Sequence, residues 1–337
     1  MAEFADIIDQ KRVTQHLQNA LKTEKVSHAY ILEGEKKAGK KFIAGIFAKT
    51  LLCANRQEIN GLIEACGECH SCIQCDNNDN PDLKVIIHEK PGSIGVDEIR
   101  TQICDDVYIK PYASAYKIYI VPDGEKMTIQ AQNALLKTLE EPPEYVVIII
   151  LTENSKAFLP TIISRCIVLE MKPASDELIK THLMQELKVV DYRADFCVAF
   201  SRGNVGKAIS LAADEGFEAY KNQVILLIKN IKTIEIHEVV SRIQEIVPAG
   251  DVEKRDEFLD LLTMLFRDVL VYKATEQTDN LIYSDSISYI KDIAKDCSFE
   301  KLGSIVDEIR ITRRRIDNNV NSDVAIEILL LNIKENI

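Results

Sequence analysis

Five short apolar runs rich in β-branched residues recur through the first half of the chain: "HAYILE" (28–33), "LKVIIH" (83–88), "KIYIVP" (117–122), "YVVIIIL" (145–151) and "CIVLE" (166–170). They are nearly continuous rather than alternating apolar with polar, as a strand with one wet face would. Burial on both faces gives such runs, and it occurs where helices cover a parallel sheet on each side. Helical patterns fill the gaps between them, so a parallel α/β domain is expected over residues 1–171. From "PASDELIKTHLMQELK" (173–188) onward the strands stop and a 3.6-residue period takes over. Lys172-Pro173, with Ser175 as an N-cap and Glu177 behind it, marks that boundary. A second break at "AADEGF" (212–217) separates a small helical domain, 172–213, from an all-helical one, 214–337.

The first of these strands runs straight into a glycine loop and a helix, "HAYILEGEKKAGKKFIAGIFAKTLL". That is the layout of a phosphate-binding loop, whose pattern G-x-x-x-x-G-K-[ST] supplies backbone N–H groups for phosphates, a lysine for the outer phosphates and a hydroxyl for Mg²⁺. Gly34, Gly39 and Lys40 fit it, but Lys41 stands where the hydroxyl belongs.

Five of the nine cysteines crowd into residues 53–75. Cys66, Cys69 and Cys72 follow a C-x₂-C-x₂-C rhythm that lets successive thiolates surround one ion, and Cys53 or Cys75 can complete a tetrahedral set. Zinc suits four thiolates and needs no redox chemistry. Free or redox-active thiols and an iron–sulfur cluster are the competing readings, although the proline-flanked fourth cysteine of the ferredoxin pattern is absent. Four closed ligands make such a site structural rather than catalytic.

Charge and hydropathy narrow the partners. The formal net charge is −12, so the surface as a whole repels a phosphate backbone, and a free-standing nucleic-acid binder is not expected. No run approaches the roughly 18 apolar residues of a membrane span, and the N-terminus is polar and amphipathic, which together imply a cytoplasmic protein.

"KIYIVPDGEKMTIQAQNALLKTLEEPP" (117–143), together with "SHAYILEG", "LPTIISRC" and "RGNVGKAI", closely resembles the clamp-loader branch of the AAA+ family, and the likeness runs through essentially the whole length. The resemblance implies a RecA-like P-loop α/β domain, a small helical lid and an all-α collar that forms oligomers. Aligned on Lys126 and Met127, the family's acidic motif falls on Pro122, Asp123, Gly124 and Glu125, so the magnesium-serving carboxylate is a proline. The lid arginine of the active ATPases falls on Gly206, with Lys207 next to it. With Lys41 these make three missing parts, and phosphoryl transfer needs the charge neutralisation they supply. No ATP is therefore expected in the chain's own site. Ser164-Arg165-Cys166 resembles the motif by which one loader subunit presents an arginine to ATP held by its neighbour, which implies a non-hydrolysing stator acting through Arg165 in trans.

The implied partners are the tau or gamma and delta subunits of a bacterial DNA polymerase III clamp loader and, indirectly, the sliding clamp and primed DNA. Zinc at Cys53, Cys66, Cys69 and Cys72 follows the family's pattern of one early cysteine and a triplet. The alternative is an active motor of the tau or gamma type.

Overall fold

The computed structural model describes residues 3–88, 90, 92–279, 281–318 and 320–337. Its first elements are α1 (Lys11–Thr23), β1 (Ala29–Glu33), α2 (Lys40–Leu52), β2 (Gln57–Ile59), β3 (Leu62–Glu64) and α3 (His70–Asp76). There follow β4 (Leu83–Val85), α4 (Val96–Ile99), β5 (Lys117–Val121), α5 (Ile129–Glu140), β6 (Val146–Thr152), α6 (Pro160–Ile163) and β7 (Ile167–Glu170). The five strands foreseen in the sequence form one sheet in the order β4-β5-β6-β1-β7, and every neighbouring pair in it is parallel. β2 and β3 make a separate antiparallel hairpin.

Side chains that alternate along a strand go to opposite faces, and the two faces here form separate cores. Tyr30 and Leu32 of β1 join Leu17, Phe47, Ile118, Ile120, Val147 and Ile149 on one side. Ala29 and Ile31 join Tyr119, Val121, Ile148, Ile150, Ile103 and Leu135 on the other. Both sets are apolar because both faces are covered, which is why the strand sequences read as unbroken runs.

A buried ion pair braces this layer. Lys117, at the start of β5, is 2% exposed and sits 2.8 Å from a carboxylate oxygen of Asp106. Lys84 reaches the same carboxylate at 2.8 Å, and the Tyr119 hydroxyl donates to it at 2.7 Å. Burial pushes the Asp106 pKa up, but these donors outweigh it and hold the group at about 2.

The helices that follow are α7 (Asp176–Gln185), α8 (Asp191–Ser201), α9 (Val205–Ala213), α10 (Phe217–Asn230), α11 (Ile236–Ile246), α12 (Val252–Thr275), α13 (Ile287–Asp296), α14 (Phe299–Asp317) and α15 (Ser322–Asn336). Two compact units result: Met1–Ile179 with Gly203–Lys207, and Lys180–Arg202 with Ala208–Ile337. The second unit is built on an aromatic cluster in which Phe196 meets Phe200, Phe217 and Tyr283. Lys221 lies 4.8 Å over the Phe196 ring while pairing with Glu218 and Asp285. Among the described residues no helix is long and apolar enough to cross a membrane.

Candidate functional site: a glycine loop, four thiols and an edge arginine

The loop after β1 has the course that its glycines require. Gly34 donates its N–H to the Thr152 carbonyl at 3.0 Å, and a β-carbon on it would come 3.1 Å from that of Met171. Gly39 caps α2 with φ at 97°, a left-handed conformation that a side chain disfavours. Within this frame Lys40 turns back on its own loop: Nζ donates to the carbonyls of Gly34 and of Glu35, the latter at 2.8 Å. Burial lowers the Lys40 pKa, against the pull of Glu153, Glu125, Asp123 and Glu35. Lys41 is exposed.

The acidic side of the loop is engaged too. Asp123 has φ at 49°, and its Oδ2 lies 2.9 Å from Lys126 Nζ and 3.8 Å from His88 Nε2. Burial raises its pKa, but Lys126 and His88 outweigh this and leave it lowered. Thr152 Oγ1 accepts from Asn154 N, and Asn154 Oδ1 accepts from Lys156 N, so both close the turn after β6.

The first turn of α9 rests on the loop directly. Asn204 donates to the Lys36 carbonyl at 2.8 Å while its Oδ1 caps α9 through the Lys207 N–H. A β-carbon on Gly206 would stand 2.0 Å from the Lys37 carbonyl oxygen, a backbone atom that cannot swing aside. Sequence reasoning gave Gly206 only as a missing arginine. The close approach adds that, with the loop where it is, this position has no room for a side chain.

At the other end of α2, the thiols of Cys53, Cys66, Cys69 and Cys72 all lie within 4.8 Å of one another. Sulfur separations are 3.5 Å for Cys53–Cys66 and 4.0 Å for both Cys66–Cys72 and Cys53–Cys69. A tetrahedral ion with sulfur at about 2.3 Å has edges of about 3.8 Å, so the four thiols fit a metal. Backbone N–H groups of Cys66 and Cys69 donate to the sulfurs of Cys53 and Cys66 at 3.3 and 3.4 Å. Burial raises the thiol pKa of Cys53 and of Cys72. Cys69 is also pushed up by burial, but bonds to Ala54, Cys72 and Cys66 bring it down to about 6.

Cys75, the other possible fourth ligand, is not in the cluster; it packs against the apolar core, and burial pushes its thiol up to about 11. The module is braced by residues that the sequence reading did not single out. Gln18 pairs with both backbone groups of Ile63, at 3.0 and 2.7 Å, and buried Glu64 accepts from the backbone of Phe4 and Ala5 at 3.0 and 3.2 Å.

Arg165 follows the short helix α6. Its Nη1 donates to the Thr161 carbonyl at 2.9 Å and to Ser164 Oγ at 3.4 Å, and its Nη2 lies 2.9 Å from Glu140 Oε1. Burial pushes the neighbouring Cys166 thiol up to about 12, as befits a small core residue.

Comparisons with known proteins place relatives of the chain among DNA polymerase III subunits. The profile of a family described as DNA polymerase III, delta subunit, matches residues 9–175, and that of its C-terminal region matches 222–335. The chain is 28% identical over 328 residues to DNA polymerase III subunit delta' of Bacillus subtilis, covering 97% of this chain and 96% of that one. It is 30% identical to DNA polymerase III subunit tau of the same organism, over 83% of this chain and 52% of that protein, and so spans about half of tau. Among solved structures, a gamma subunit-related protein of DNA polymerase III from Thermotoga maritima superposes with a TM-score of 0.51 at 19% identity, covering 97% of this chain and 99% of that one.

Proposed function

The chain belongs to the DNA polymerase III delta-subunit family of clamp-loader proteins, and from that premise we propose that it is a delta-prime-type stator, a subunit that helps load the sliding clamp without hydrolysing ATP itself. The observation that carries the reading is the contact between Gly206 and the Lys37 carbonyl. The lid helix begins on the phosphate loop, at the position from which active relatives send an arginine. Lys40 is spent on carbonyls of its own loop, Lys41 replaces the magnesium hydroxyl and Pro122 replaces the magnesium carboxylate. A triphosphate here would meet neither metal nor arginine, so its developing charge would go uncompensated. These departures make the loop a degenerate one.

The useful charge then points elsewhere. Arg165 is a planar, always-ionised fork at the margin of the first domain and can complete an ATP site on an adjoining tau or gamma subunit. Residues 172–213 serve as the lid and 214–337 as the collar that packs against other subunits, with delta as a further partner. Zinc held by Cys53, Cys66, Cys69 and Cys72 would fix the 53–76 segment and carry no chemistry. The complex works on primed DNA in the cytoplasm.

The test is assembly with the remaining loader subunits and measurement of ATP turnover stimulated by clamp and DNA. Arg165→Ala is expected to slow it, and unchanged turnover removes the trans role. The likeness to tau supports a second reading, an active motor. Steady Mg²⁺-dependent hydrolysis by the isolated chain, abolished by Lys40→Ala, would establish that reading instead.

A further inference from the structure

The carboxylate on Arg165 comes from a different element and from an unfavourable place. Glu140 is the last residue of α5, where the helix ends because Glu141 leaves helical geometry, at φ −128° and ψ 64°, ahead of Pro142-Pro143. An acid at that end opposes the helix dipole, whose negative pole lies there. Helix stability therefore gives no reason for Glu140, whereas the guanidinium 2.9 Å away does. Thr161 and Ser164 hold Nη1 close to the backbone of its own turn; Glu140 alone reaches across from α5 to Nη2. Nε has no partner among the described residues, and with the second N–H of Nη2 it leaves two donors for an incoming oxygen.

We propose that Glu140 is a positioning residue for Arg165: a carboxylate in cis that fixes the guanidinium at the end of α6, with its remaining N–H groups set for the phosphates bound by the neighbouring subunit. The inference rests on the trans role proposed above. An unrestrained arginine would lose its rotamer freedom only on meeting the phosphate, and ordering it beforehand moves that cost out of the reaction step. Both partners are partly open to water, with side-chain exposures of 34% and 50%, so the pair itself contributes little to folding. Its removal should therefore report on Arg165 and not on the fold.

The experiment uses the full chain assembled with its loader partners, clamp and primed DNA, and measures kcat and KM for ATP. Glu140→Ala is expected to lower kcat roughly three- to tenfold with little change in KM, since orientation matters in the transition state. Glu140→Gln, which keeps an acceptor at the same reach, should be slowed less. The double variant with Arg165→Ala should be no slower than Arg165→Ala alone, and thermal melting of the isolated chain should not move. Wild-type kinetics for Glu140→Ala beside a slow Arg165→Ala overturns the positioning role and leaves the trans role standing. So does a Glu140→Ala effect that persists undiminished when Arg165 is already gone. Wild-type turnover by Arg165→Ala fells both. If Glu140→Ala fails to assemble, Glu140→Gln is judged by the same criteria.

Discussion

Helix α2 connects two sites of opposite construction. At its N-terminal end the loop keeps its glycines, yet Lys40 bonds to its own carbonyls and Gly206 presses on Lys37. At its C-terminal end Cys53 is the C-cap, and its sulfur lies 3.5 Å from that of Cys66 in a complete set of four. The thiol cluster draws every member from residues 53–72, one short stretch. A nucleotide site needs groups from the loop, from the end of β5, from the turn after β6 and from the start of α9. In three of those segments Lys41, Pro122 and Gly206 stand where the resemblance to active clamp loaders implies a hydroxyl, a carboxylate and an arginine. A local site is kept or lost as a unit, whereas a distributed one can be dismantled a piece at a time while the fold persists.

The largest expected effect is at the C-terminal end of α2. Stripping the metal with a chelator, or Cys72→Ser at a fully buried thiol, leaves sulfurs facing one another with no ion and unties the hairpin. Gln18 and Glu64 then lose their partners, so the damage should reach α1 and the N-terminal turn. Structural zinc in small modules is worth about 10–16 kcal/mol. With only part of that felt by the whole domain, a fall in Tm of roughly 10 °C or more is expected. Metal analysis should give one zinc per chain. An unchanged melt in chelator would break the contrast between the two ends.

An intermediate effect is expected at the other end. Gly206→Arg installs the arginine that the resemblance to active clamp loaders implies there, but its β-carbon would meet the Lys37 carbonyl at 2.0 Å. The expected outcome is destabilisation of about 2–4 kcal/mol, by forced separation of loop and helix, with no gain of nucleotide binding. Denaturant unfolding and titration with Mg·ATP check it. A variant that binds Mg·ATP at unchanged stability would mean that the site was only one residue from working.

Much of this was legible in the sequence, for definite reasons. The five sheet strands announced themselves because a parallel sheet covered on both faces admits no polar alternation. β4 is shorter than "LKVIIH" suggested: Ile87 pairs instead with the side chain of Gln102, which accepts from its N–H at 3.0 Å and donates to its carbonyl at 2.7 Å. A side chain standing in for a strand leaves no periodic trace. The β2–β3 hairpin was missed although its Asn60-Gly61 turn, with φ at 51° and 81°, carries a strong local signal. Its strands are three residues each and Gln57-Glu58-Ile59 is exposed, so the apolar residues beside the turn, Ile59, Leu62 and Ile63, are too few to make an alternating run. Spacing left Cys53 and Cys75 as rivals; the end of α2 decides for Cys53, and the core claims Cys75. The partnership of Arg165 with Glu140 depends on where α5 and α6 end in space, which no local pattern records.

The smallest effect should come from the residue that looks most catalytic. Lys40→Met keeps the aliphatic stem and removes two bonds, to Gly34 and Glu35. Each such bond is worth about 0.5–1.5 kcal/mol net. The lowered pKa of Lys40 means that burial already costs its charged form something, and the substitution relieves that cost. The two contributions oppose each other, so a stability change within about 1 kcal/mol is expected, with no change in ATP turnover by the assembled loader. In a working phosphate loop the same substitution removes the charge on the outer phosphates and abolishes hydrolysis. A large loss of turnover in Lys40→Met, at normal stability, would therefore place this lysine on a phosphate and not on its own loop, and the two ends of α2 would have to be counted alike.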